Sequence, residues 1–429
     1  MALVLATALL LRLGFVLLYP QVPPVIGDDR MYDQVAWSLA TGNGFSGGFA
    51  GQTERPGRPA QLDIQGSPEI GIGPVYPALL AVIYWVFGHA FWVVRVAQAL
   101  LGCLAVVVMY RLAADAFGAA VARLSAVLMA VYPAFIIYSG VLLTETLSVA
   151  LLAVLIWMVH RAIQLSSSRR WALAGAVAGL AVLLREEILL LLPLLIGAGL
   201  WLAPNRVRLK HIAVLGLVTV LTVGVWTARN YVIFGRFILV SAHGGDTLWL
   251  SAKGWSEWQY DDAELIALTA GLDYVEQNEA LRREGMRIII DDPLGYLRTC
   301  VARLPDFWLT SHTTYLVGFQ ETFGTYYQRE EYWRLAVKLL LFGINLAVIT
   351  LASFGISTTM RPGGQPWPGV LLFLPIVVVA AVHFFLFATP RYQVPIMPFV
   401  LVFASVGVLK MGVGRVVQLG RSPAPAHAQ

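Results

Sequence analysis

The stretch Gly27-Asp28-Asp29-Arg30-Met31-Tyr32-Asp33-Gln34-Val35-Ala36 decides how this chain reads. It follows Met1–Tyr19, an apolar run whose single charge is Arg12. At about 1.5 Å per residue that run just crosses a bilayer, so two adjacent carboxylates stand where the chain leaves the membrane. The spacing beyond them is helical. Met31, Val35 and Leu39, flanked by Tyr32 and Ala36, form an apolar stripe expected to lie along a membrane surface. Thr41-Gly42-Asn43-Gly44 then supplies a helix stop. An N-cap role for Asp28, with Asp29 complementing the helix dipole in the first turn, explains one acid. A second acid at a membrane mouth points to chemistry, with which capping is compatible.

Composition fixes the setting. The 429 residues are 58% hydrophobic and 13% charged, whereas a soluble domain carries about a quarter charged residues. This excludes an ordinary soluble enzyme and predicts an all-α polytopic membrane protein surrounded by membrane lipids. The net charge of +5 comes without a basic run interleaved with aromatics. It fits loops facing anionic lipid and argues against nucleic acid as a partner. Cys103 in an apolar run and Cys300 in a polar one predict neither a structural disulfide nor a cysteine metal site. The first run lacks a basic start and a small-residue cleavage site, so it reads as a retained helix.

Residues 21–73 form a polar loop rich in Gly and Pro. Pro74–Phe87 is apolar but short, with Pro77 inside it. Further apolar runs are Phe91–Met109, Val121–Tyr138, Val141–Val159, Trp171–Leu184, Ile188–Leu202 and Ile212–Ala228, then Leu335–Leu351, Val370–Phe387 and Val394–Leu409. Gly175-Ala-Val-Ala-Gly179 suits close helix packing. Charge sets the count: with Pro74–Phe87 juxtamembrane or re-entrant, the arginine-rich short turns share one side with both termini, as the positive-inside rule expects. The expectation is about ten crossings in an inner, cell membrane, with cytoplasmic termini. Four regions follow: an N-terminal membrane module (1–229), a mainly helical extracytoplasmic segment (230–334), C-terminal membrane helices (335–412) and a disordered tail (413–429). In the third quarter, Glu276–Ile290 reads as a helix, and Asp292-Pro293 caps and opens another over Leu294–Phe307.

On that topology the acid pair, Glu145, Arg185-Glu186-Glu187, Arg229 and Arg391-Tyr392 emerge on one extracytoplasmic face. Nucleotide-activated donors are absent there, so group transfer needs a donor anchored in the bilayer. Sugar transfer from a polyprenyl phosphate fits: a carboxylate takes the proton from an acceptor hydroxyl while cations hold the departing phosphate.

The motifs resemble a known superfamily. Asp28-Asp29-x-x-Tyr32 with Leu39-Ala40-x-Gly42-x-Gly44-Phe45 is similar to the first-loop signature of the GT-C glycosyltransferases. The branch is that of protein O-mannosyltransferases, lipid A aminoarabinose transferases and related bacterial enzymes. Gly73-Pro74-Val75-Tyr76-Pro77, Arg95-x-x-Gln98-Ala99-Leu100, Leu143-Thr144-Glu145, Leu183-Leu184-Arg185, Trp226-Thr-Ala-Arg229-Asn230-Tyr231-x-x-Phe234-Gly235 and Arg391-Tyr392-x-x-Pro395-x-x-Pro398 follow in the expected order. The resemblance implies an inverting transferase that moves a monosaccharide from a polyprenyl-phosphate donor to an extracytoplasmic acceptor (a glycan, lipid or protein hydroxyl). Asp28 would be the base, with Asp29 as its neighbour. Some relatives carry arginine directly before the tyrosine, where this chain has Met31 and places Arg30 one residue earlier. Some carry lysine before the proline, where this chain has Gly73. Arg185, Arg229, Arg391 and Arg30 are therefore the candidates for the donor phosphate, and Tyr32, Tyr76, Glu145 and Tyr392 for substrate contact.

Plainer readings stand beside these. Arg229 and Arg391 sit at helix ends, where arginines ordinarily snorkel, and Arg185 beside two glutamates reads equally as a structural ion pair. His243-Gly-Gly-Asp246 reads as a glycine turn, and no metal site or cofactor is expected, though metal dependence stays open. Tyr138, Tyr326, Tyr327, Trp249, Trp255, Trp258 and Trp308 read as an interface belt. Two other classes stay open: a flippase of lipid-linked intermediates, and a non-catalytic envelope scaffold.

Overall fold

The computed structural model describes residues 1–18, 27–47, 67–254, 262–360 and 367–419. Among them the chain is helical, and the one extended pairing is an isolated antiparallel bridge between Ser46 and Pro68. The helices are α1 (Ala2–Leu18), α2 (Asp28–Ala40), α3 (Val75–Phe87), α4 (Phe91–Phe117), α5 (Ala119–Val131), α6 (Pro133–Ile137), α7 (Glu145–Leu165), α8 (Ser168–Leu184), α9 (Ile188–Leu202) and α10 (Leu209–Phe234). Next come α11 (Gly244–Lys253), α12 (Asp262–Thr269), α13 (Tyr274–Asp291), α14 (Pro293–Ala302), α15 (Leu304–Trp308) and α16 (Phe323–Gln328). The last are α17 (Tyr332–Thr359), α18 (Trp367–Phe385), a 3-10 segment (Pro390–Ile396) and α19 (Met397–Leu419).

Six of these are long and apolar enough to cross a membrane: α4, α7, α10, α17, and the stretches Pro368–Phe385 and Pro390–Gly412; α1, α3, α5 and α9 are shorter apolar helices. The count of about ten read from sequence took in α8, whose 17 residues carry Arg169 and Arg170 in the first turn, and set α3 aside. The protein is a multi-pass membrane protein. Its exposed large side chains are those a bilayer would cover, such as Leu217, Val220, Leu221 and Val225 along α10.

Small residues set the closest contacts. On α8 a Cβ at Gly175 would lie 2.7 Å from the Leu215 carbonyl and one at Gly179 2.5 Å from Thr222 Cβ. The expected small-xxx-small pattern is thus the α8–α10 crossing. Gly355 and Gly407 do the same between α17 and α19, where added Cβ atoms would fall 2.0 Å from the Phe403 carbonyl and 2.3 Å from that of Leu351.

Several expectations need correction. The apolar stripe of α2 faces protein and not lipid: Met31, Val35 and Ala36 are buried against Ile72, Phe45 and α3. Val121–Tyr138 divides at Tyr132-Pro133, because proline cannot continue the helix hydrogen bonds. Asp292 caps as expected, accepting from Gly295 N, but Leu294–Phe307 is two helices that part at Arg303, ahead of Pro305. His243-Gly-Gly-Asp246 opens α11 and is not a turn; Gly245 packs on the Asn278 backbone. Trp249, Tyr138 and Tyr326 are buried in the protein, so they are not belt residues. Trp255, Trp258 and most of the tail lie outside the described residues.

Candidate active site

The site begins with the placement of α2. Its N-cap is Gly27, at φ +81°, a conformation that costs glycine little. Asp28 and Asp29 therefore lie in the first turn, and Asp28 is not the cap. Both still meet the positive end of the helix dipole. Four-residue spacing puts Asp28 and Tyr32 on one face, and Asp29, Asp33 and Trp37 on the next. The second face is clamped. Asp33 accepts from Tyr84 Oη at 2.6 Å and meets His89 Nε2 at 2.7 Å, while Trp37 stacks on the His89 ring at 4.6 Å. On the first face Tyr32 packs edge-on to Tyr76 at 5.1 Å, and Tyr76 donates to Gln98 Oε1 at 2.9 Å. Gln98 in turn donates to the carbonyls of Ser139 and Val141, tying α4 to the turn before α7.

Fixed in this way, Asp28 meets Arg391 from the 3-10 segment: Nη2 lies 2.5 Å from Asp28 Oδ2. The same guanidinium places Nε 3.9 Å from Glu145 Oε1 and donates to Tyr315 Oη at 3.3 Å and Tyr392 Oη at 3.1 Å. Arg185, at the C-terminal end of α8, donates to Glu145 Oε1 at 3.1 Å, Glu187 Oε1 at 3.3 Å, Ser148 Oγ at 3.1 Å and Thr144 Oγ1 at 3.3 Å. Both guanidiniums lie over the Tyr392 ring, at 5.3 and 5.0 Å. Helix polarity favours the arrangement, with an acid at the start of α7 and a cation at the end of α8. Glu145 is 1% exposed and sits between two cations, as a buried carboxylate requires.

The sequence candidates divide. Asp28, Glu145, Arg185, Arg391 and Tyr392 share one cluster, with Tyr32 and Tyr76 beneath it. Arg229 stands elsewhere: it donates to the carbonyls of Glu69 and Phe45 at 2.9 and 3.2 Å, inside a cage of Phe45, Trp226 and Phe234 rings. It staples both ends of the first loop to α10. Arg30 is half-buried on α2, turned about 100° from Asp29, and its backbone N–H donates to Asp29 Oδ1 at 2.8 Å. Met31 lies in the core, and a Cβ at Gly73 would fall 2.2 Å from the Leu183 carbonyl. Neither position has room for the longer cation that some relatives carry.

Burial pushes the Asp29 carboxyl up to about 6, against the pull of the Arg30 amide, with the Asp28 and Asp33 charges adding to it. Burial also raises Glu186, although Ser241 donates to it twice. Among the described residues no three His, Cys, Asp or Glu side chains gather to hold a metal; between Asp28 and Glu145 stands the Arg391 guanidinium. Tyr315 and Ser148 escaped sequence reasoning. Ser148 carried a signal, since it lies one helical turn beyond Thr144 on the face of Glu145. Tyr315 carried none.

The fold that carries this arrangement is shared with known proteins. Residues 71–226 match the family model described as dolichyl-phosphate-mannose-protein mannosyltransferase. No curated protein matches the chain. The fold is similar to the oligosaccharyltransferase AglB from Archaeoglobus fulgidus. In its complex with an inhibitory peptide and a dolichol-phosphate the identity is 14% and the TM-score 0.52, covering 99% of this chain and 52% of that one. Tethered to an acceptor peptide, AglB gives 13%, 0.54, 99% and 51%. ArnT from Cupriavidus metallidurans bound to undecaprenyl phosphate gives 13% identity and a TM-score of 0.45, covering 99% and 81%. The chain spans about half the length of AglB. It has the GT-C fold, and the match over 71–226 agrees with glycosyl transfer.

Proposed function

We propose that this protein is an inverting glycosyltransferase that moves one sugar from a polyprenyl-phosphate donor to an acceptor hydroxyl on the extracytoplasmic side of the membrane. The acceptor is a glycan, a lipid or a protein. One observation carries the reading: Asp28 is paired with Arg391 inside a cluster of guanidiniums and carboxylates at the ends of apolar helices. The dolichol-phosphate in the AglB complex and the mannosyltransferase family match support a lipid-phosphate donor.

Arg391 and Arg185 hold the phosphate by charge-assisted hydrogen bonds as its negative charge grows. Donor binding draws Arg391 from Asp28, leaving the carboxylate free to act as base. The acceptor oxygen then attacks the anomeric carbon, and its proton passes to Asp28. The carbon–oxygen bond to phosphate breaks, and its electron pair stays on the phosphate. Attack opposite the leaving group inverts the anomeric centre. Asp29 sits beside the base as a less acidic neighbour that limits the local negative charge.

Asp28→Asn, assayed with a radiolabelled lipid-linked sugar in proteoliposomes, is expected to lose about 10²–10⁴-fold in transfer, the usual contribution of a positioned base. Full transfer by the folded variant removes Asp28 as the base.

A further inference from the structure

Glu145 Oε2 and Tyr138 Oη are among the polar atoms at this cluster with no hydrogen-bond partner among the described residues. Both side chains are 1% exposed, so neither atom is satisfied by bulk water, and such buried orphans are uncommon in native proteins. They belong together. Tyr138 follows α6 and Glu145 opens α7, and Thr146 Oγ1 donates to the Tyr138 carbonyl at 3.0 Å, closing the turn between them. The phenol lies in the field of Glu145, Tyr315, Arg391 and Arg185, and its ring stands 6.1 Å from that of Tyr315 and 6.5 Å from that of His312. His312 is held at φ +55°, unusual outside glycine, in a buried run from Thr310 to Thr313. This strained loop walls the phenol from behind. Burial drives the His312 imidazole down to about 4, so it brings no charge there at neutral pH.

We infer that Tyr138 and Glu145 form the subsite that reads one neutral hydroxyl of the transferred sugar; the inference rests on the glycosyl-transfer reading above. A carboxylate oxygen only accepts, while a phenol can donate. A hydroxyl answers both at once, giving its proton to Glu145 Oε2 and accepting from Tyr138 Oη. A deoxy carbon leaves two buried polar atoms unanswered, which is the strongest form of discrimination a binding site has. An ammonium group is disfavoured for a different reason. Glu145 already faces Arg185 and Arg391, and a third cation among these would be repelled by both. The subsite therefore selects a neutral hydroxylated sugar over its amino counterpart.

The test uses the full-length protein in nanodiscs with polyprenyl-phosphate mannose, its four monodeoxy analogues and the matching amino sugars. Values of kcat/KM are compared for wild type and Tyr138→Phe, with thermal unfolding as the folding control. Wild type is expected to lose about tenfold or more on one deoxy donor and on the amino donor at that same carbon. Tyr138→Phe is expected to fall about tenfold on the mannose donor while staying within about twofold on that deoxy donor. An equal fall on every donor makes Tyr138 structural and overturns the subsite. So does a wild-type preference for an amino donor, or indifference to all four deoxy positions. Glucose and arabinose donors run in parallel separate a wrong sugar from a wrong reaction. No transfer from any polyprenyl-phosphate sugar overturns the parent reading itself.

Discussion

Arg12 and Arg391 are both buried, at 1% and 7% exposure, and use the same group in opposite ways. Arg12 donates to the carbonyls of Ala8, Met129 and Ala130 at 3.0 to 3.2 Å, meeting the last turn of α5 in the middle of the helix bundle. Helix-end carbonyls lack intrahelical partners and sit at the negative end of the dipole, so a fixed cation completes them. Arg391 instead bonds a carboxylate and two phenols near the mouth of the cluster, ligands that an incoming phosphate can replace. A buried arginine is structural when backbone carbonyls claim it, and available for chemistry when exchangeable side chains do. The distinction also bears on the flippase reading: Arg12, the single charge in the first apolar run, is accounted for by the carbonyls it completes, without a transport path.

Substitutions sharpen this contrast. Arg391→Leu is expected to cost the most, about 3–5 kcal/mol in transfer, because it removes the phosphate ligand and the partner of Asp28 together. Initial rates across a donor titration check it, and transfer within a few fold of wild type breaks the comparison. Arg12→Leu is expected to cost about 2–3 kcal/mol of stability, from carbonyls left unpaired in a dry bundle, while kcat per folded molecule stays unchanged. Thermal unfolding beside active-site titration separates those effects.

Asp29→Asn has a pH signature. Its carboxyl at about 6 lies above the unfolded value of about 3.9, so the folded protein binds this proton more tightly. The contribution is fully present below pH 4 and is lost as pH rises through about 6. The variant escapes that loss. Its melting temperature is expected to match wild type at pH 4 and exceed it by a few degrees at pH 7; a constant offset contradicts the shift. The smallest effect is Gly102→Ala, at about 1 kcal/mol: the new Cβ would stand 2.8 Å from Arg12 Nε and must push the guanidinium from its carbonyls. Differential scanning in the Arg12→Leu background, where the penalty should vanish, checks it.

Sequence was sufficient for the helical membrane architecture, because apolar runs of bilayer length have few other uses, and it singled out the acid pair, because adjacent carboxylates just after an apolar run stand out. It also brought Arg185, Glu145 and Arg391-Tyr392 forward as motifs. It could not tell which arginines would meet. Arg229 and Arg391 look alike along the chain, both near helix ends beside aromatics, and only the fold sends one to loop carbonyls and the other to Asp28. The stripe of α2 was misread for a related reason: an apolar helix face is the same pattern whether lipid or protein covers it. Tyr138 looked like an interface tyrosine, yet it stands seven residues before Glu145 at the end of an apolar run, a spacing that hinted at a shared turn.

The glycine contacts between α17 and α19 have a mechanical consequence. With Gly355 and Gly407 at backbone distance, the two helices form one stiff rod, and the 3-10 segment bearing Arg391 leads directly into α19. Arg391 is thereby anchored to an immobile post. The backbone of Arg391 holds still on that post, so its pair with Asp28 opens by the guanidinium swinging on its own side chain.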